Sequence, residues 1–255
     1  LIFSYGMYFG SVVLIPLWLQ EFMLYNAEWA GISVCTLGIA PIFLSMLTPH
    51  LIRKFGVIKT LILSFLLFSI GSFYTAFFTV QVDAAHIAFG RFLFGFGFVC
   101  YVAPLFTLSL QDVPAERIAG ATGLFHFIRS MMGAIGTAIF TTLWQRRTIF
   151  HHERIAEVLT PFNPMLPPLP DQQALALLNN SVDQQAAMLA INECLFLMGW
   201  LYVGLIVLLT AYLVLRKNKH ENSGSYPSSS GITSNYRRTA IHEISTSASI
   251  GSRAT

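Results

Sequence analysis

Of the 255 residues, 55% are apolar, 14% aromatic and only 11% charged, and the mean hydropathy is +0.62. A soluble domain carries roughly 25% charged residues, so a water-soluble globular protein is excluded; apolar runs of about 20 residues, long enough to cross a hydrocarbon core, indicate an all-α polytopic membrane protein. The net charge of +3 does not mark a nucleic-acid partner, because the 15 Lys and Arg sit mainly between apolar runs, where they report orientation.

Leu1 stands inside an apolar stretch with no initiating Met, basic segment or small-residue cleavage site. No signal peptide is read there, and the chain is expected to be the C-terminal portion of something longer. Six apolar runs follow, at about 1–20, 29–50, 60–82, 87–110, 118–143 and 191–215. They are bounded by charges, each of which costs roughly 3 kcal/mol at the bilayer centre. Cys35, Cys100 and Cys194 each fall in such a run without a second cysteine nearby, which argues against a disulfide framework or a thiolate metal site.

Arg53, Lys54 and Lys59 between the second and third runs, and Arg216 to Lys219 after the sixth, place both segments in the cytoplasm. Alternation then puts Glu21 to Glu28, Gln81 to His86 and the long 144–190 loop outside. The proline-rich middle of that loop, from Pro161 to Pro170, reads as a hinge between short helices at 144–157 and 181–190. Residues 1–219 are taken as the membrane domain, and the Ser/Gly/Thr-rich 220–255 as a disordered cytoplasmic tail.

Arg91 lies within the fourth run, ahead of Gly95 and Gly97, and an arginine in a span needs a partner. It is a candidate for coupling, against the plainer reading of a side chain snorkelling to the outer interface. His126 and Arg129 stand three apart on one face of the fifth span, positions suited either to proton exchange or to bundle fixation. Gly6 and Gly10, Gly120 and Gly123, and Gly133 and Gly136 have helix-packing spacings. His151-His152-Glu153 lacks the His-x3-His or Glu-x2-His spacing of a zinc site, and no GxSxG, HExxH or phosphate loop occurs, so neither a metal nor an enzyme is expected.

Arg91-x3-Gly95-x-Gly97, Pro104-Leu105, the stretch from Val113 to Leu124, Gly136-Thr137-Ala138-Ile139 and Trp144 together resemble the major facilitator superfamily. Within it the likeness is to EmrB-type drug:proton antiporters with fourteen spans, and it covers about residues 1–215. The resemblance implies a six-helix half of a major facilitator transporter fold in a bacterial inner membrane, using no cofactor. It implies Arg91 as the arginine tied to proton coupling, with Arg53 in a cytoplasmic gating loop whose usual Asp is replaced by Ile52.

The implied function is proton-coupled efflux of lipophilic or cationic drug-like compounds by alternating access. Tyr5, Tyr8, Phe92, Gly95 and Phe96, with Phe3 and Phe9, would line the substrate cavity, and Arg53, Arg91, His126 and Arg129 would gate or couple. Implied partners are an N-terminal half of the same transporter, a periplasmic membrane-fusion adaptor and an outer-membrane channel. The alternative is a non-transporting membrane scaffold or transporter remnant, which Ile52 favours and the retained Arg91 motif disfavours.

Overall fold

The computed structural model describes residues 2–158 and 172–223. Seven helices account for most of them: α1 Ile2–Glu21, α2 Ala27–Leu44, α3 Thr48–Phe55, α4 Val57–Ala76, α5 Ala84–Leu110, α6 Ile118–Val158 and α7 Gln172–Ser223. No strand occurs among the described residues. Residues 1–210 form one compact unit, and the end of α7 belongs to a second, Ala211–Thr255.

Local chemistry explains the breaks. Asn26 caps α2 by accepting the Trp29 N–H at 2.9 Å, with Glu28 in the first turn where the helix dipole favours a negative charge. The second apolar run, read as continuous to 50, is broken at Ser45–Leu47, because Pro49 suits the first turn of a new helix better than the interior of an old one. That helix, α3, ends at Gly56, whose φ of 85° a side chain would resist. The segment Leu51 to Lys59, read as a connecting loop, is therefore largely helical.

Helix α6 runs on to Val158 and so includes the helix expected at 144–157, whereas α7 begins at Gln172, earlier than the expected 181; the proline-rich middle lies outside the described residues. Helix α7 also extends to Ser223, past the expected start of the tail at 220, while 224–255 lie outside the described residues.

Helix α1 packs on α6, α2 on α5, and α4 on α5. The interior is aromatic: Tyr5 and Tyr8 of α1, Phe65 and Phe68 of α4, Phe94 and Tyr101 of α5 and Tyr202 of α7 are all buried. Phe68 sits at the middle of this group, 5.6 Å from the rings of Tyr8 and Phe94, 5.8 Å from Tyr101 and 5.2 Å from Tyr202. Polar links cross between helices as well. Ser4 and Tyr101 share a 2.6 Å hydrogen bond, Thr36 donates to Ala88 O at 2.8 Å, Ser69 to Gly199 O at 3.3 Å and Asn192 to Phe78 O at 2.8 Å. Each such bond contributes about 0.6–2 kcal/mol in a membrane.

Among the described residues, five helices are long and apolar enough to cross a membrane: α2, α4, α5, α6 and α7. Helix α1, read as the first of six spans, is 20 residues long and carries Ser4, Gly6, Gly10 and Ser11 among its apolar residues. It is a core element, with Tyr5, Met7, Leu14, Ile15, Trp18 and Leu19 at most 2% exposed. A helix wrapped by protein can carry small and polar residues that a lipid-facing one cannot. By contrast Trp29, Ile42 and Phe43 of α2 and Trp200, Val207 and Leu208 of α7 are exposed apolar surface suited to hydrocarbon.

Candidate functional site

Arg91 is fully buried on α5, one turn before Phe94, whose ring centroid lies 4.6 Å from its guanidinium carbon. Its Nη1 donates to the Ser11 carbonyl of α1 at 3.1 Å. A carbonyl has two lone pairs, so Ser11 can accept this bond beside its helical one. Nε and Nη2 have no hydrogen-bond partner, and no carboxylate pairs with Arg91 among the described residues. A buried charge with unmet donors is costly, each unsatisfied group carrying ~1–3 kcal/mol. This site therefore has unused binding capacity for water, an acid or a proton-carrying group. Arg91 does not snorkel to an interface.

The aromatic residues around it divide into two sets. Tyr8 stacks on Phe98 at 4.5 Å with planes 15° apart, and Tyr5 meets Tyr101 edge-on at 4.8 Å. Both tyrosines are core residues; Tyr8 also meets Phe68 of α4, and Tyr5 meets Phe125 of α6. Phe92 is 41% exposed and Phe96 half-buried, so they offer ring surface outside the core. Gly95 serves helix packing: a Cβ there would press on Leu37 O and Ala40 of α2. Phe3 is exposed and Phe9 half-buried against Gly133.

His126 and Arg129, expected to act together, have different surroundings. His126 is exposed, with its ring near those of Phe106 and Phe125. Arg129 is half-buried with its guanidinium carbon 5.8 Å from the Tyr5 ring, and its Nε has no partner. Two guanidinium groups, each with a buried Nε that lacks a partner, thus flank the α1 tyrosines, Arg91 from α5 and Arg129 from α6. The small-residue pairs also separate: Gly6, Gly10, Gly133 and Gly136 all sit at the α1–α6 contact, whereas Gly120 and Gly123 meet nothing within 4 Å among the described residues.

Cavities open between the helices of this unit among the described residues. One of about 510 Å³ lies between α2, α3 and α5, with Arg53 on its wall; another, about 170 Å³ and apolar, lies between α1, α6 and α7 and includes Phe3. Tyr5, Tyr8, Phe92, Gly95 and Phe96 line neither one.

A second polar cluster joins the C-terminal part of α6 to the N-terminal part of α7. Glu193 lies 3.1 Å from His151 Nε2 and 3.6 Å from Arg147 Nε, the histidine contact being too far off-line for a hydrogen bond. Asp183 lies 2.7 Å from His152 Nδ1 and accepts the Asn179 side-chain amide at 3.0 Å. Buried Trp144 donates to Ala187 O at 3.2 Å below them. The two adjacent histidines thus take different carboxylates, and no group of three metal-ligating residues forms among the described residues. Sequence reading missed these pairs because their partners lie more than 30 positions apart in the chain.

Because Glu193 and Arg147 are about half exposed, with only His151 set deeper, Glu193→Gln should destabilise the protein by only ~1 kcal/mol or less, an effect that shrinks in high salt. Thermal unfolding at low and high NaCl checks this, and a loss independent of salt contradicts an electrostatic clasp.

A bundle of long apolar helices around a buried arginine defines a polytopic membrane protein. Residues 1–137 match the family model of the Major Facilitator Superfamily, and the chain belongs to that superfamily as a multi-pass protein of the bacterial inner membrane. It is of EmrB type: similar to the multidrug export protein EmrB of Escherichia coli K12 at 32% identity, over 81% of this chain and 41% of that protein. The fatty acid resistance protein FarB of Neisseria gonorrhoeae is 31% identical over 88% of this chain and 45% of its own length. The probable multidrug resistance protein EmrY of Escherichia coli K12 is 30% identical over 80% and 42%. The chain thus spans less than half the length of these relatives.

Proposed function

We propose that the chain is the C-terminal half of a proton-coupled efflux transporter, not an enzyme, that exports lipophilic or cationic compounds by alternating access. The observation carrying this reading is Arg91, a charge held at full burial with two unpartnered donors against α1. A group that costs so much in a membrane is kept for pairing or coupling. The names of the relatives, for multidrug export and fatty acid resistance, point to the same lipophilic class.

In this reading Arg91 and Arg129 respond to the protonation state of an acid in the N-terminal half, and the six-helix unit rocks against that half around a midplane site. Phe92 and Phe96 offer ring surface to cationic or lipophilic cargo, each contact contributing ~0.5–2 kcal/mol. The cation excess at Arg53, Lys54 and Lys59 supports a cytoplasmic α3. The extensions of α6 and α7 then stand outside, where a periplasmic membrane-fusion adaptor leading to an outer-membrane channel would dock.

The test is accumulation of ethidium in pump-deficient cells expressing the full-length protein that contains this chain. Lower accumulation, restored by a protonophore, is expected. Equal accumulation with and without the protein refutes the reading.

A further inference from the structure

The larger cavity combines two kinds of surface. Pro41 of α2, Ile52 of α3 and Phe98, Val99 and Val102 of α5 make its walls apolar, and its volume of about 510 Å³ falls in the range of small-molecule sites. Its only charged wall residue is Arg53, which is exposed and has no ion-pair or hydrogen-bond partner among the described residues. Exposed Lys54 and Lys59 stand beside it in sequence, and no acidic residue occurs between Glu28 and Asp83. The basic segment therefore has no local counter-charge. On α2, α3 and the turn between them, Ile42, Phe43, Met46 and Phe55 are exposed apolar side chains, as expected where protein meets hydrocarbon.

We propose that this cavity binds an anionic phospholipid, with one acyl chain between α2 and α5 and the phosphate against Arg53 and Lys54. The occupant must be apolar at one end and anionic at the other, and it must arrive from the bilayer. Basic pockets between membrane helices recognise anionic headgroups in this way, each cation near the surface contributing ~1 kcal/mol. A cationic export substrate is disfavoured by Arg53. The bound lipid would brace the α2–α3 break against α5, so that α3 holds its position only in a membrane that supplies anionic lipid.

The experiment uses the full-length protein in nanodiscs of phosphatidylglycerol or phosphatidylcholine, with native mass spectrometry to count retained lipid and thermal unfolding to read stability. Neither readout passes through transport. Wild type should retain phosphatidylglycerol preferentially and unfold at a higher temperature in it. Arg53→Gln and Lys54→Gln, both at exposed positions, should each weaken retention about fivefold. Val102→Trp keeps the charges but fills the cavity, and should also lose the lipid while remaining monodisperse. Equal retention of both lipids, or unchanged retention in all three variants, overturns the proposal. So does efficient cross-linking of Ala103→Cys to another protein segment, which would show the cavity closed by polypeptide.

Discussion

Arg91→Met is expected to lower efflux about tenfold or more, the equivalent of ~1.4 kcal/mol in the barrier, while leaving thermal stability unchanged or raised. The two effects separate because of how the guanidinium is held. It makes one hydrogen bond, to Ser11 O, and leaves Nε and Nη2 unmet, so a methionine of similar reach keeps the packing on Phe94 and removes two buried orphan donors. Replacing a buried charge by an apolar residue of similar volume is often neutral or stabilising. A side chain that served only the fold would show little loss of transport when its packing is preserved. Arg91→Lys should restore transport only in part, since an ammonium lacks the planar fork that spans Ser11 and a second partner. Normal efflux by the methionine variant would reduce Arg91 to a packing residue.

Gly136→Ala is expected to disrupt the bundle more than any other single methyl group added to α6. A Cβ at Gly136 would fall on the Gly6 backbone, and a Cβ at Gly6 would fall 2.9 Å from Met132 O. The obstruction is backbone against backbone, so no rotamer change relieves it, and the helices must separate. Overpacking typically costs ~1–3 kcal/mol even where side chains can yield. Gly204→Ala on exposed α7 surface, with nothing within 4 Å among the described residues, is the control and should be neutral or stabilising. Equal thermal midpoints and equal monodisperse yields for the two variants would mean that α1 and α6 do not cross so closely.

Some of the site was legible from residue type alone. Arg91 drew notice because a charge in a span is rare, and the α1–α6 contact was foreshadowed by the spacing of Gly6 with Gly10 and Gly133 with Gly136. Spacing could not say which glycines meet protein: the same signal at Gly120 and Gly123 corresponds to open surface among the described residues. Nor could it divide the aromatic residues. Tyr5 and Tyr8 pack their rings on Tyr101 and Phe98 of α5, while Phe92 and Phe96 keep part of their rings outside the core.

The sequence by itself determined the membrane class and the course of the apolar helices, because hydrocarbon imposes a length and excludes charge whatever the neighbours are. The helix ends at Asn26, Pro49 and Gly56 are also local in origin, each set by a side chain or a positive φ within one turn, although the second run was read as continuous to 50. Only the tertiary structure decided that α1 is the buried helix, that Arg91 reaches Ser11 O, that Arg53 borders a cavity, and that His151 and His152 find Glu193 and Asp183 across two helices. The physical reason is that lipid and protein core are equally apolar. A helix in a soluble protein declares its inner face by amphipathic periodicity, whereas a membrane helix is apolar on every side, so its inward face is decided by close packing and polar links that appear only once the helices meet.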